Sequence, residues 1–348
     1  MASTLDNPAW VEWMTTLMGG ASRQTYAATL PPDRFYCLLD ELPLHLIPQG
    51  VFKSLHLRED EQPSLVLNPD CVLCTDGQLP DGLESRRELL SGFALQGTIA
   101  WVRNGASGNL LPFWLGPATE GIVRALRRNE PVPPSVPDRT RRLLVAAGIL
   151  IHQERTDRAT RHREQMMGKA SLLLGEKAYA PLGDLIHPFH IAALRRYYRY
   201  LIRRGAIELG DGQSPRRYVA YNEPVARFFH HDITTTLSAV AGEPIKPSYV
   251  YLASYLSGAE LKKHTDREQC EFSVTLCLDF SPEPQLATPW PIRLDTSTGT
   301  VTVYQAVGDG LAYRGTRLPH YRHKLGEGQT STSIFFHYVA ANFSGSLD

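Results

Sequence analysis

From about Pro247 to the C-terminus the chain alternates short apolar and polar runs between turns, the two-residue period of strands with one buried face. Leu261–Phe280 and Ser331–Val339 are the clearest such stretches. Upstream the pattern changes. Residues 1–50 mix short apolar stretches with Pro31, Pro32 and Pro43 and read as mostly helical. Residues 50–115 are turn-rich and hold one hairpin candidate, Thr98–Val102 joined to Leu110–Leu115 through Asn104–Asn109. Residues 118–127 and 138–148 predict two helices split by Pro131, Pro133 and Pro134, the second stopping at Gly148. Gln153–Arg163 is polar and basic, a linker or an exposed helix, and Leu194–Ile207 predicts a helix ended at Gly205. No internal repeat interrupts this order. The expectation is an α+β chain with a mixed, mainly helical accessory region over 1–165 and a strand-rich region with leading helices over 166–348.

Composition narrows the function classes. A chain of 348 residues can bury a substantial core in one or two domains. Lysine plus arginine number 36, as do aspartate plus glutamate, so no global charge points to nucleic acid or a membrane surface, and neither is expected as a partner. No apolar run approaches a membrane span, and Met1–Met18 lacks a signal-peptide layout. Five scattered cysteines suit a reducing compartment better than a disulfide framework, which predicts a cytoplasmic protein. Nothing in the pattern fixes an oligomeric state.

The chemistry concentrates in His264-Thr265-Asp266 and, further on, His320. In a strand, side chains i and i+2 share a face, so His264 and Asp266 are expected to converge there, with His320 joining from a neighbouring strand. Two imidazoles and one carboxylate on one face leave open positions suited to non-haem Fe(II) and dioxygen.

The surroundings strengthen this motif. Tyr251, Tyr255 and Gly258 precede it, and the apolar run Phe272–Leu278 follows. Then come Gly308-Asp309-Gly310-Leu311, Tyr313-Arg314-Gly315, Leu318-Pro319-His320-Tyr321-Arg322 and a last run through Ser331, Ser333 and His337 to Val339. In this order, Tyr249–Val339 resembles the Fe(II)/2-oxoglutarate-dependent dioxygenases, in particular the prolyl-4-hydroxylase-like branch. The resemblance implies a double-stranded β-helix, a jelly-roll relative, with His264, Asp266 and His320 as metal ligands and Fe(II), 2-oxoglutarate and O2 as cofactor and co-substrates. It implies hydroxylation of an unactivated C–H, with release of succinate and CO2, on a small-molecule or peptidyl substrate: an amino acid, a peptidyl residue or a small natural product.

The far carboxylate of 2-oxoglutarate needs a cation and hydrogen bonds. Many relatives carry a basic residue nine to eleven positions after the distal histidine, where this chain has Gln329, Thr330 and Ser331. Arg322, two after His320 and on the same strand face, is the expected substitute, with hydroxyl help from Thr330 or Thr332. Tyr251 or Tyr255 fits the same carboxylate, and either fits core packing equally. Arg267, Glu268, Arg314 and Arg317 flank the ligands as orienting groups or solvated charge. His323 falls three residues past His320, on the other strand face, and His337 is expected to be structural. Cys71-x2-Cys74 lacks a second pair for zinc. His187, His190, His230 and His231 suit pocket, surface or cap positions, and Arg195–Arg204 suits a buried tyrosine stripe (Tyr197, Tyr200, Leu201) with arginines outside. The alternatives are a module keeping the barrel without turnover, against which the intact ligand set argues, and a nucleic-acid repair oxygenase, disfavoured by the balanced charge.

Overall fold

The computed structural model describes residues 29–47, 65–103, 107–152 and 156–347. The alternating C-terminal pattern forms two sheets. The larger runs in the order Tyr179–Leu182, Gly310–Tyr313, Phe272–Ser281, Thr330–Ala340, Ile245–Tyr255, Arg217–Tyr221, Glu208–Leu209, each neighbour antiparallel. The smaller runs Leu261–His264, His320–Arg322, Ile292–Thr296, Gly299–Val303, also antiparallel. From Ile245 onward the chain passes back and forth between them, which sets the distal histidine strand beside the strand that ends in His264.

Phe272–Ser281 is buried along nearly its whole length because both its faces are covered. Ser273, Thr275 and Cys277 share one face by the two-residue period, and Ser273 bonds the site carboxylate Asp266 from there. Past an irregularity between Cys277 and Asp279, Asp279 turns to the other side and pairs with Arg195 and Arg199 of the helix Pro188–Arg203. That helix and Pro224–Asp232 back the larger sheet. His230 bonds the His337 carbonyl at 2.8 Å, and Tyr338 donates to the His230 carbonyl at 2.8 Å.

The upstream part mixes helices with short strands. Residues 1–28 lie outside the described residues, and residues 29–47 contain one 3-10 turn, Leu44–Leu46. Cys71–Thr75, Thr98–Arg103 and Leu110–Leu115 form a three-stranded sheet, and Leu65–Leu67 pairs with Leu150–His152. Aromatic and β-branched residues such as Trp101, Val102, Phe113 and Trp114 favour strand over helix here. The hairpin and the two helices, Pro117–Ala125 and Asp138–Ala146, follow the sequence reading. Gly148 takes the left-handed conformation (φ 73°) just past the second helix. The polar stretch near residue 160 belongs to a helix, Thr156–Lys177, that runs across residue 165.

One hydrophobic core contains residues from Leu30 to Tyr338. Phe35 sits in its middle, with ring centroids 5.0 Å from Phe93, 6.2 Å from Trp114 and 5.8 Å from Phe229. Arg195 is wholly buried instead of outside the tyrosine stripe, bonding the Leu46 carbonyl at 2.6 Å and the Asp279 carboxylate at 2.9 Å, with Glu283 beside it. Tyr197 and Tyr198, not Tyr200, are the buried tyrosines of that helix. No helix among the described residues is long and apolar enough to cross a membrane.

Candidate metal centre and anion pocket

Strand Leu261–His264 pairs with His320–Arg322 so that His264 stands opposite His320. The strand ends there. Asp266 lies in the following turn, outside the regular strand in which the sequence placed it, and its N–H donates to the Gly315 carbonyl at 2.9 Å. The i,i+2 relation therefore survives through a turn. Asp266 Oδ1 lies 3.6 Å from His264 Nε2 and 3.5 Å from His320 Nε2, and all three ligand atoms fall within 4.8 Å of one another. Ligands about 2.1 Å from a shared ion and at right angles stand about 3 Å apart, so a small inward shift closes the set.

The imidazoles are oriented for a metal. His264 Nδ1 meets the Lys262 carbonyl at 2.7 Å and His320 Nδ1 the Leu318 carbonyl at 3.0 Å. A carbonyl can only accept, so Nδ1 carries the proton and Nε2 offers its lone pair inward. Burial pushes the Asp266 carboxyl up, but His264, the fields of His320 and His337, and the Ser273 bond outweigh it and hold it at about 2. The carboxylate is therefore charged and ready to ligate. Side-chain exposure falls from 33% at His264 to 11% at Asp266 and 3% at His320, so access is from the His264 side.

Asp266 Oδ2 is held away from that focus. Ser273 Oγ donates to it at 2.7 Å, and the same hydroxyl accepts from His337 Nδ1 at 2.9 Å. Burial pulls the His337 pKa down to about 4, which keeps the ring neutral. Gly315 closes the other side: a Cβ there would stand 2.2 Å from Oδ2, 2.5 Å from the Cys270 carbonyl and 2.7 Å from Ser273 Oγ. Only glycine fits this approach.

Two residues past His320 on the same short strand, Arg322 is buried. Its Nη1 donates to the Trp290 carbonyl and its Nη2 to Gln305 Oε1 at 3.0 Å, and the guanidinium stands 4.9 Å from the Trp290 ring centre. Among the described residues it has no carboxylate partner, and its Nε has no acceptor. Thr275 Oγ1, on the same strand face as Ser273, is also buried without a partner. Burial pulls the Arg322 pKa down, and the groups facing it are Cys277, Tyr255 and Tyr313. A desolvated cation without an acid is costly unless an anion completes it.

Tyr255 is wholly buried, and its hydroxyl accepts from Arg217 at 3.2 Å, while Tyr251 donates to Asp211 at 2.5 Å. Tyr251 is thus already engaged, and Tyr255 is the tyrosine beside Arg322. Thr332 is a correction. Its hydroxyl donates to Ser254 at 2.8 Å on the strand face opposite His337, so it points away from the ligand cluster and adds nothing to the anion pocket. Arg217 went unrecognised in the sequence. It is buried, paired with Asp211 and bonded to Gln213, and no motif marks it.

The remaining candidates lie elsewhere. His187 caps its helix by accepting from the Phe189 N–H, and His190 is a core ring bonded to the Pro112 carbonyl at 2.9 Å. All five cysteines are free and buried, and among the described residues Cys71 and Cys74 belong to no ligand cluster. His323 lies apart from the cluster, and its carbonyl accepts from Trp290.

No protein-family model and no curated protein matches this chain. Solved structures do. A Pseudomonas putida prolyl-4-hydroxylase is similar over 49% of this chain and 99% of its own, at 17% identity and a TM-score of 0.41. The non-haem alpha-ketoglutarate-dependent epimerase SnoN from nogalamycin biosynthesis is similar over 50% and 83%, at 13% identity and 0.43. A Trichoplax adhaerens prolyl hydroxylase in complex with a hypoxia-inducible-factor peptide fragment is similar over 51% and 91%, at 12% identity and 0.43.

Proposed function

We propose that this chain is an Fe(II)- and 2-oxoglutarate-dependent dioxygenase that hydroxylates an unactivated C–H bond of an amino-acid, peptidyl or small natural-product substrate. The observation that carries the reading is one pairing: a cluster of two imidazoles and a carboxylate, and, two residues along the strand of His320, a buried guanidinium with no acid partner among the described residues. The alternation of strands between two antiparallel sheets supports a double-stranded β-helix. His264, Asp266 and His320 would hold the iron through two imidazole nitrogens and a carboxylate oxygen, a donor set suited to Fe(II). A bound iron supplies the dioxygen chemistry, coupled to conversion of 2-oxoglutarate into succinate and CO2.

The protein's own residues do the rest. Arg322 binds the far carboxylate of 2-oxoglutarate, with Tyr255 as a neighbouring hydroxyl, and Thr275 Oγ1 is a further free donor on that wall. Trp290, Tyr255 and Tyr313 keep water from this end, which strengthens the ion pair. Substrate enters past His264, the exposed ligand, and residues 1–165 act in substrate selection while contributing no metal ligand. Purified protein with Fe(II), 2-oxoglutarate and oxygen should form succinate slowly by itself and faster with the true substrate. Succinate no higher than in a His320→Ala control, across amino-acid, peptide and natural-product pools, would overturn the reading.

A further inference from the structure

We propose that Ser273, held by His337, is a positioning residue that confines Asp266 to a single metal-facing oxygen. The inference rests on the metal reading above. A carboxylate can ligate through one oxygen or chelate through two. With two histidines and a one-oxygen aspartate, an octahedral ion keeps three positions free. A chelating aspartate leaves two, enough for the co-substrate and nothing else.

The structure bears on which mode Asp266 can take. Oδ1 faces both His264 Nε2 and His320 Nε2, while Oδ2 accepts the Ser273 hydroxyl at 2.7 Å on the far side. Ser273 has one proton, and Oδ2 at 2.7 Å is a nearer acceptor for it than the Cys270 carbonyl at 3.3 Å; with that proton directed at Oδ2, the His337 ring at 2.9 Å is left as the donor to Ser273 Oγ. Gly315 packs against the same oxygen and its carbonyl holds the Asp266 N–H, so the carboxylate cannot swing without breaking these bonds. Asp266, Cys270 and His337 also lie close enough to suggest a second metal set. Their polar atoms are already matched, Tyr249 Oη to Cys270 Sγ at 3.0 Å and His337 to Ser273, so the cluster acts as a clamp on Oδ2.

The test uses the full chain loaded with Co(II), comparing wild type with Ser273→Ala and His337→Phe, and with His337→Gln as the variant that keeps a donor. Co(II) affinity should stay within a few-fold in all four. Affinity for 2-oxoglutarate should likewise hold within a few-fold, whereas azide, offered to the Co(II)–2-oxoglutarate protein as a third ligand, should bind about tenfold or more weakly in Ser273→Ala and His337→Phe and recover in His337→Gln. Crystal structures of the Co(II) forms should show Asp266 bound through one oxygen in wild type and through both in Ser273→Ala. Parallel loss of Co(II), 2-oxoglutarate and azide affinity, or unchanged azide affinity, would overturn the proposal. So would a one-oxygen Asp266 in Ser273→Ala. If Ser273→Ala does not fold, the His337 pair decides by the same readouts. A wild-type Co(II) protein that ignores 2-oxoglutarate would instead count against the proposed function, with the Asp266 binding mode still readable from the crystals.

Discussion

Replacing His320 by alanine should remove the Fe(II) site, weakening affinity by more than the roughly 10- to 100-fold that outer-shell partners typically carry. The imidazole is buried, its Nδ1 is fixed by the Leu318 carbonyl, and its Nε2 stands 3.5 Å from the Asp266 oxygen. Among the described residues no neighbour replaces it. His337 lies on the far side of Asp266 and is bonded to Ser273, and Tyr313 offers a hydroxyl that burial keeps protonated. Titration with Fe(II) or Co(II) under exclusion of oxygen reads the loss directly. Retained affinity in the variant would mean that the metal sits elsewhere.

Arg322→Ala should weaken 2-oxoglutarate binding roughly ten- to hundred-fold, because a charge-assisted contact contributes about 1.5–3 kcal/mol. The guanidinium is anchored at both ends, by the Trp290 carbonyl and Gln305, yet faces no acid among the described residues. Arg322→Lys should fall between, since an ammonium keeps the charge but loses the planar fork. Binding to the metal-loaded protein separates this from general damage: Fe(II) affinity should be nearly unchanged. If 2-oxoglutarate affinity is also unchanged, Arg217, the other buried guanidinium near Tyr255, becomes the candidate.

The grouping of His264, Asp266 and His320 was legible because His264 and Asp266 are close in sequence and His320 sits in a recognisable Leu-Pro-His segment. Asp266 lies past the strand end, its N–H held by the Gly315 carbonyl, which a two-residue period cannot reveal. Arg322 was readable from its spacing to His320, since both belong to one short strand. Thr332 was misplaced because parity relates residues within a strand. It says nothing about how a strand faces one in another sheet, and the Ser254 contact sets that orientation. Arg217, Gln305 and Trp290 come from separate segments whose meeting is decided by the crossing of the two sheets. Upstream, the hairpin of Thr98–Arg103 and Leu110–Leu115 was legible, while its third strand, Cys71–Thr75, and the pair Leu65–Leu67 with Leu150–His152 were not, because proline- and turn-rich stretches mask short strands.

The most direct test of the account is an anaerobic optical titration of the Fe(II)-loaded protein with 2-oxoglutarate. A weak visible charge-transfer band should grow in and saturate at a single equivalent. It should be absent from His264→Ala and His320→Ala, and should require far more 2-oxoglutarate in Arg322→Ala. A featureless wild-type spectrum, or a band that both histidine substitutions leave intact, would contradict the account.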